Sequence, residues 1–123
     1  MEPRARLRRA SDIRLVFGEG DSWKHPLMVL VARPNGLELS RVGVTASRRI
    51  GGAVVRNRAR RLMREAARQL YPHIISGYDL MLVARAGIRG AKEPRVEQAL
   101  EYLLQEAQLM GSEVSVLDAA GIV

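Results

Sequence analysis

The sequence predicts an α+β sandwich, a small mixed β-sheet with helices packed on one face of it. Three observations point there. Short aliphatic runs at 26–33, 39–47 and 77–87 have the length and branched side chains of strands. Stretches at 53–70 and 93–110 repeat apolar residues at helical period. Strand, helix and strand follow one another through 39–47, 53–70 and 78–85, a connection long enough to cross between parallel neighbours. The predicted order is helix, two or three strands, helix, strand, helix.

Ser11 opens the first element. Its hydroxyl can cap a short helix carrying Ile13, Val16 and Phe17, and the "GEGD" that follows ends it. "PLMVLVAR" (26–33) is an aliphatic run stopped by the turn signal "PNG", which predicts a strand and a hairpin. "LSRVGVTAS" (39–47) alternates through Val42, Val44 and Ala46, a second strand. "RRIGG" (48–52) is a basic loop whose two glycines permit unusual backbone angles and close approach of a ligand.

Residues 53–70 make the long helix. Val55, Ala59, Leu62, Met63, Ala66 and Leu70 fall within one arc of about 120°, a dry face for a core. Asn57, Arg60, Arg61, Arg64 and Arg68 cluster opposite, with Arg56 and Arg58 at the boundaries. Tyr71-Pro72 ends the helix, since proline disfavours helical angles at the residue before it. "GYDLMLVARAG" (77–87) is a third strand, almost wholly apolar from Leu80 to Ala84. The last helix, 93–110, starts with Pro94 in its first turn and aligns Val96, Ala99, Leu100, Leu103, Ala107 and Met110. Its outward side is acidic, through Glu97, Glu101 and Glu106. Residues 1–110 are read as one domain, and 111–123 as a tail without clear periodicity.

Composition narrows the function. The 123 residues suffice for one domain with a real core. With no cysteine, disulfides and thiolate metal sites are excluded and a reducing compartment fits. No apolar run approaches the roughly 18 to 20 residues that span a bilayer. The basic start leads into no signal-peptide core, so a cytoplasmic protein is expected.

Charge is concentrated. Residues 41–70 hold nine arginines against the single acid Glu65, whereas the whole chain is only +7. Arginines on a surface helix are ordinarily interleaved with glutamates that pair with them. Their absence reserves the positive field for a polyanion outside the chain. Eighteen of the twenty cations are arginine, whose planar guanidinium grips phosphate bidentately and stacks on bases. A membrane surface fits less well, because the apolar face lacks Trp and Phe and is needed for the core. Neither a helical nor a zinc-stabilised DNA-reading pattern is present. A basic helix beside a small sheet suits RNA shape and backbone.

Catalytic constellations are scarce. No HExxH, GxSxG, Walker A or paired-cysteine spacing occurs. His25 and His73 are read as solvent-facing loop histidines beside prolines. Asp12, Asp21 and Asp79 could in principle gather for two-metal phosphodiester hydrolysis, but they lie scattered in separate elements.

"RVGVTASRRIGGAVVRNRARRLMREAAR" (41–68) resembles the signature of the protein subunit of bacterial ribonuclease P. Ser47, Arg48, Arg49, Gly51, Ala53, Val54, Arg56, Asn57 and Arg58 each fit that pattern, and the likeness extends over about residues 6 to 110. The resemblance implies a fold like the second domain of a small-subunit ribosomal protein, with a left-handed crossover between parallel strands. It implies two partners, a catalytic RNA and precursor tRNA, and a reaction that removes the 5′ leader. Divalent magnesium is implied at the RNA's active site, with no cofactor held by a protein motif and no dedicated protein partner. Arg48, Arg49, Arg56, Asn57, Arg58, Arg60, Arg61, Arg64 and Arg68 are implied to dock the RNA subunit. Ile13, Phe17, Val29, Val31, Ser47 and Arg85 are implied to form the leader cleft. The family often has further aromatics on the first helix and first strand. Ile13 stands at the former, and "PLMVLVAR" has none, so stacking falls mainly to Phe17, which could instead serve the core. The alternative reading is a non-catalytic, ribosome-associated RNA-binding module.

Overall fold

The computed structural model describes residues 2–111; the expected tail therefore lies outside the described residues except for Gly111. Seven main elements follow in order: α1 (Ala10–Glu19), β1 (Asp21–Lys24), β2 (Met28–Pro34), β3 (Arg41–Thr45), α2 (Ala53–Leu70), β4 (Tyr78–Ala84) and α3 (Glu93–Glu106). The sheet is mixed, with strand order β1-β2-β4-β3. β1 with β2 and β2 with β4 are antiparallel, and β3 runs parallel to β4. The α+β class and the parallel crossover through α2 therefore hold.

Four local expectations are corrected. The first is the hairpin at "PNG": β2 and β3 are not neighbours, because β4 lies between them. The two most apolar strands take the centre, where α2 and α3 cover one face and α1 covers part of the other. Asn35 then leads the chain across the end of β4, its N–H donating to the Gly77 carbonyl at 2.8 Å. The second is an extra strand, β1, in "DSWK", which has only Trp23 to bury and so gives little apolar signal. The hairpin that does form joins β1 to β2 through His25–Leu27.

Third, Ser11 does not cap α1. The cap position is Arg9, with no side-chain hydrogen bond, and Ser11 lies inside the first turn. Fourth, α3 stops at Glu106 rather than 110. Gln108 adopts φ 59°, and the Leu109 and Gln108 N–H groups return to the Leu104 and Gln105 carbonyls at 2.8 and 3.0 Å. That is a Schellman ending, with buried Leu109 closing it.

Helices cover both faces of the sheet, not one. α2 and α3 share the main core with Met28, Leu30 and Ala32 of β2 and Leu80, Leu82 and Ala84 of β4. On the other face α1 covers a smaller cluster of Leu7, Val16, Val31 and Met81, with Ile13 and Val29 packed against it. Alternation along each strand makes the division. Register places three rows across the α1 face: Arg33, Asp79 and Arg41; then Ser22, Val31, Met81 and Gly43; then Lys24, Val29, Val83 and Thr45.

Candidate nucleic-acid interface

The long helix α2 buries Ala59, Leu62, Met63, Ala66, Ala67 and Leu70. The predicted dry face is reproduced, with Ala67 added and Val55 only half-buried at its edge. On the opposite side Asn57, Arg61, Arg64 and Arg68 are exposed, and Arg56, Arg58 and Arg60 half-buried. Ser47, Arg48 and Arg49 stand exposed in the loop before the helix. There Gly51 takes φ 153°, the positive angle expected of it, while Gly52 is ordinary extended backbone.

Not all the arginines are equally free. Arg41 belongs to the fold: its Nε and Nη2 donate to the two oxygens of Asp79 at 2.8 and 2.6 Å. Its Nη1 reaches Asp12 on α1 at 3.3 Å. The hydrogen bonds with Asp79 raise the Arg41 pKa further. Arg41 thus gathers Asp12 and Asp79 around a guanidinium, while Asp21 lies exposed on the far strand β1. The arrangement leaves no two-metal centre. Among the described residues no group of three or more His, Asp and Glu is placed to hold a metal.

Arg68 makes a forked pair with Glu65, at 2.6 and 3.1 Å, and that hydrogen bonding holds the Glu65 carboxyl below its usual range. Arg58 is anchored by donating to the Ala91 carbonyl at 2.6 Å, and Arg60 donates to Asn57. Arg56 has its Nε buried without a partner. Seven arginines (Arg48, Arg49, Arg56, Arg58, Arg60, Arg61 and Arg64) form no ion pair among the described residues. Along α2 and its entry loop only Arg68 is paired with a carboxylate among the described residues.

The other predicted surface lies beside α1. Phe17 is 49% exposed and belongs to neither core cluster. Ile13 and Val29 are half-buried, but Val31, at 7%, is covered by α1 and does not present a surface. Ser47 and Arg85 are exposed just past the ends of β3 and β4. The row Lys24, Val29, Val83 and Thr45 lies one step along the sheet from Val31 and Met81, with Lys24 exposed and the other three half-buried. Lys24, Val83 and Thr45 were missed by sequence reasoning. Val83 was recoverable from the alternation in "LMLVA", whereas Lys24 needed the unseen strand.

The histidines differ from expectation in one case. His73 is exposed, but His25 is half-buried. Its Nδ1 accepts the Leu27 N–H at 3.0 Å, and its ring meets Tyr102 edge-on at 5.9 Å. It is the hinge of the β1–β2 hairpin.

Both the sequence and the fold are matched among known proteins. The family model for Ribonuclease P covers residues 1–108. The chain belongs to the ribonuclease P protein family. It is 41% identical over 109 residues to the ribonuclease P protein component of Herpetosiphon aurantiacus, spanning 89% of each chain. With that of Roseiflexus castenholzii it shares 39% over 111 residues, 89% of this chain and 91% of the other. The solved RNase P protein from Thermotoga maritima superposes with TM-score 0.74 at 31% identity, covering 82% of this chain and 96% of that one. Membership makes this chain the protein side of an endoribonuclease that matures tRNA 5′ ends.

Proposed function

We propose that the ribonuclease P protein described here binds a large catalytic RNA through the α2 stripe and grips the 5′ leader of precursor tRNA beside α1. One observation carries the reading: seven arginines ranged along α2 and its entry loop with no carboxylate partner among the described residues. Arg48, Arg49, Arg56, Asn57, Arg58, Arg60, Arg61, Arg64 and Arg68 form the docking face. Their guanidinium groups neutralise phosphates where RNA helices crowd, and the forked donors fix orientation. Residues 1–110 serve as one domain in this role, in the cytoplasm where tRNA is made.

Cleavage chemistry falls to the RNA. Asp12 and Asp79 are tied up by Arg41, Glu2, Glu19 and Glu65 pair with other arginines, and among the described residues no group of three or more acids and histidines gathers to hold a metal. Magnesium would be held by RNA phosphates, and no step is assigned to a protein-bound ion. The second surface, Ile13, Phe17, Val29, Ser47 and Arg85 with Thr45 and Val83, offers one aromatic platform and a shallow apolar floor for single-stranded leader. Val31 contributes from beneath, by supporting α1.

Salt dependence tests the docking face. With about six phosphates contacted, affinity for the RNA subunit falls roughly a thousandfold between 50 and 200 mM salt. A slope near one phosphate would contradict the reading. Arg60→Glu with Arg64→Glu should weaken RNA binding while the domain stays folded by circular dichroism. Cleavage of precursor tRNA should need the RNA subunit; cutting by protein alone would sink the division of labour.

A further inference from the structure

Building on the docking reading, we propose that the N-terminal segment Arg6–Arg8 is the second wall of a groove that seats one RNA strand by its sugar–phosphate backbone. The groove, of about 460 Å3, runs between that segment, the outer edge of β3 and α2. Arg6 and Arg8 line one side, and Arg61, Arg64 and Arg68 the other. Glu65, already engaged by Arg68, is the sole acid of the lining.

The wall is built into the fold. Leu7 is buried at 4% and its N–H donates to the Val42 carbonyl at 3.0 Å, laying the segment along β3. Alternation about buried Leu7 turns Arg6 and Arg8 outward, and both are exposed with no carboxylate partner among the described residues. Gly43 permits the approach, since a Cβ there would lie 2.8 Å from the Leu7 carbonyl oxygen.

The floor supports a strand rather than a duplex. β3 is the sheet's edge, and among the described residues only the bridge Arg6↔Val42 pairs with its outer side. Backbone N–H and C=O groups alternate sides along a strand. Val42 directs its carbonyl to Leu7, so Val44, two residues on, turns its own polar pair to the same uncovered side. That pair can meet a ribose hydroxyl and a phosphate oxygen, with small Ala67 opposite leaving room. A duplex would rest on the rims and not reach Val44.

The absence of cysteine allows a direct test. Arg8→Cys and, separately, Arg61→Cys are each linked to iron–EDTA and reconstituted with the catalytic RNA. Both tethers should cut the same short stretch of RNA. Cuts from position 61 with none in that stretch from position 8 would overturn the second wall. In parallel, Arg6→Ala with Arg8→Ala, checked for folding, should shrink the affinity loss between 50 and 200 mM salt by roughly tenfold, as two fewer phosphates require. An unchanged salt dependence in the folded variant also overturns it. If Arg60→Glu with Arg64→Glu weakens binding while this variant does not, only the second wall fails. If neither weakens it, the docking reading itself fails.

Discussion

A carboxylate taken out of water must be met by a cation and hydrogen bonds, and Asp79, 1% exposed on β4, has both. Besides the two bonds from Arg41, Asn35 Nδ2 donates to its Oδ1 at 2.9 Å. Asp79→Ala leaves Arg41 without its main partner and should cost about 3–5 kcal/mol in urea unfolding. Phe17 is the opposite case. Being half-exposed and outside both clusters, its replacement by alanine should change stability by less than about 0.5 kcal/mol. Its effect should appear instead in the preference for precursor over mature tRNA, reduced by up to the roughly 1–3 kcal/mol of one stacked base. An unchanged preference, measured as a ratio of Kd values, would leave the leader to other contacts.

At the scale of elements, α2 is divided lengthwise between a buried apolar face and an arginine face, and Glu65 is its single acid. Its pKa is lowered in the folded chain by hydrogen bonding from Arg68. A lowered carboxyl pKa stabilises the fold above the unfolded value, about 4.3, and this contribution is lost as pH falls through the folded value. The stability difference between the parent and Glu65→Gln should therefore be present at neutral pH and vanish in acid. The same change releases Arg68, so RNA affinity should rise a few-fold at pH 7. A fall would mean that Glu65 is needed to aim Arg68. Just past the end of α3, Gln108 holds a left-handed conformation that glycine adopts without steric cost. Gln108→Gly should raise the midpoint of thermal unfolding slightly, by up to about 1 kcal/mol of stability.

Across the whole molecule, charge differs between the two helices that share the main core. α2 presents arginines beside the N-terminal segment, while α3 carries Glu97 and Glu101, half-buried, and exposed Glu106. Because eighteen of twenty cations are arginine, the field does not titrate near neutrality. RNA affinity at fixed salt should hold within about twofold from pH 6 to 9. A steep decline across that window would assign binding to His25 or His73 instead.

The sequence by itself determined the helical and strand periods, the arginine stripe opposite a dry face, and the signature running from Ser47 to Arg58. These are local properties, since periodicity and charge spacing need only neighbouring residues. The strand order, the hidden strand β1 and the burial of Val31 were decided by tertiary contact. So was the fate of single arginines: Arg41 looks like one more member of the cluster until Asp79, 38 positions away, is folded against it. Arg6 and Arg8 likewise gain a groove only when Leu7 lies down on β3. Partners distant in the chain are chosen by how buried surfaces close, and no run of adjacent residues records that choice.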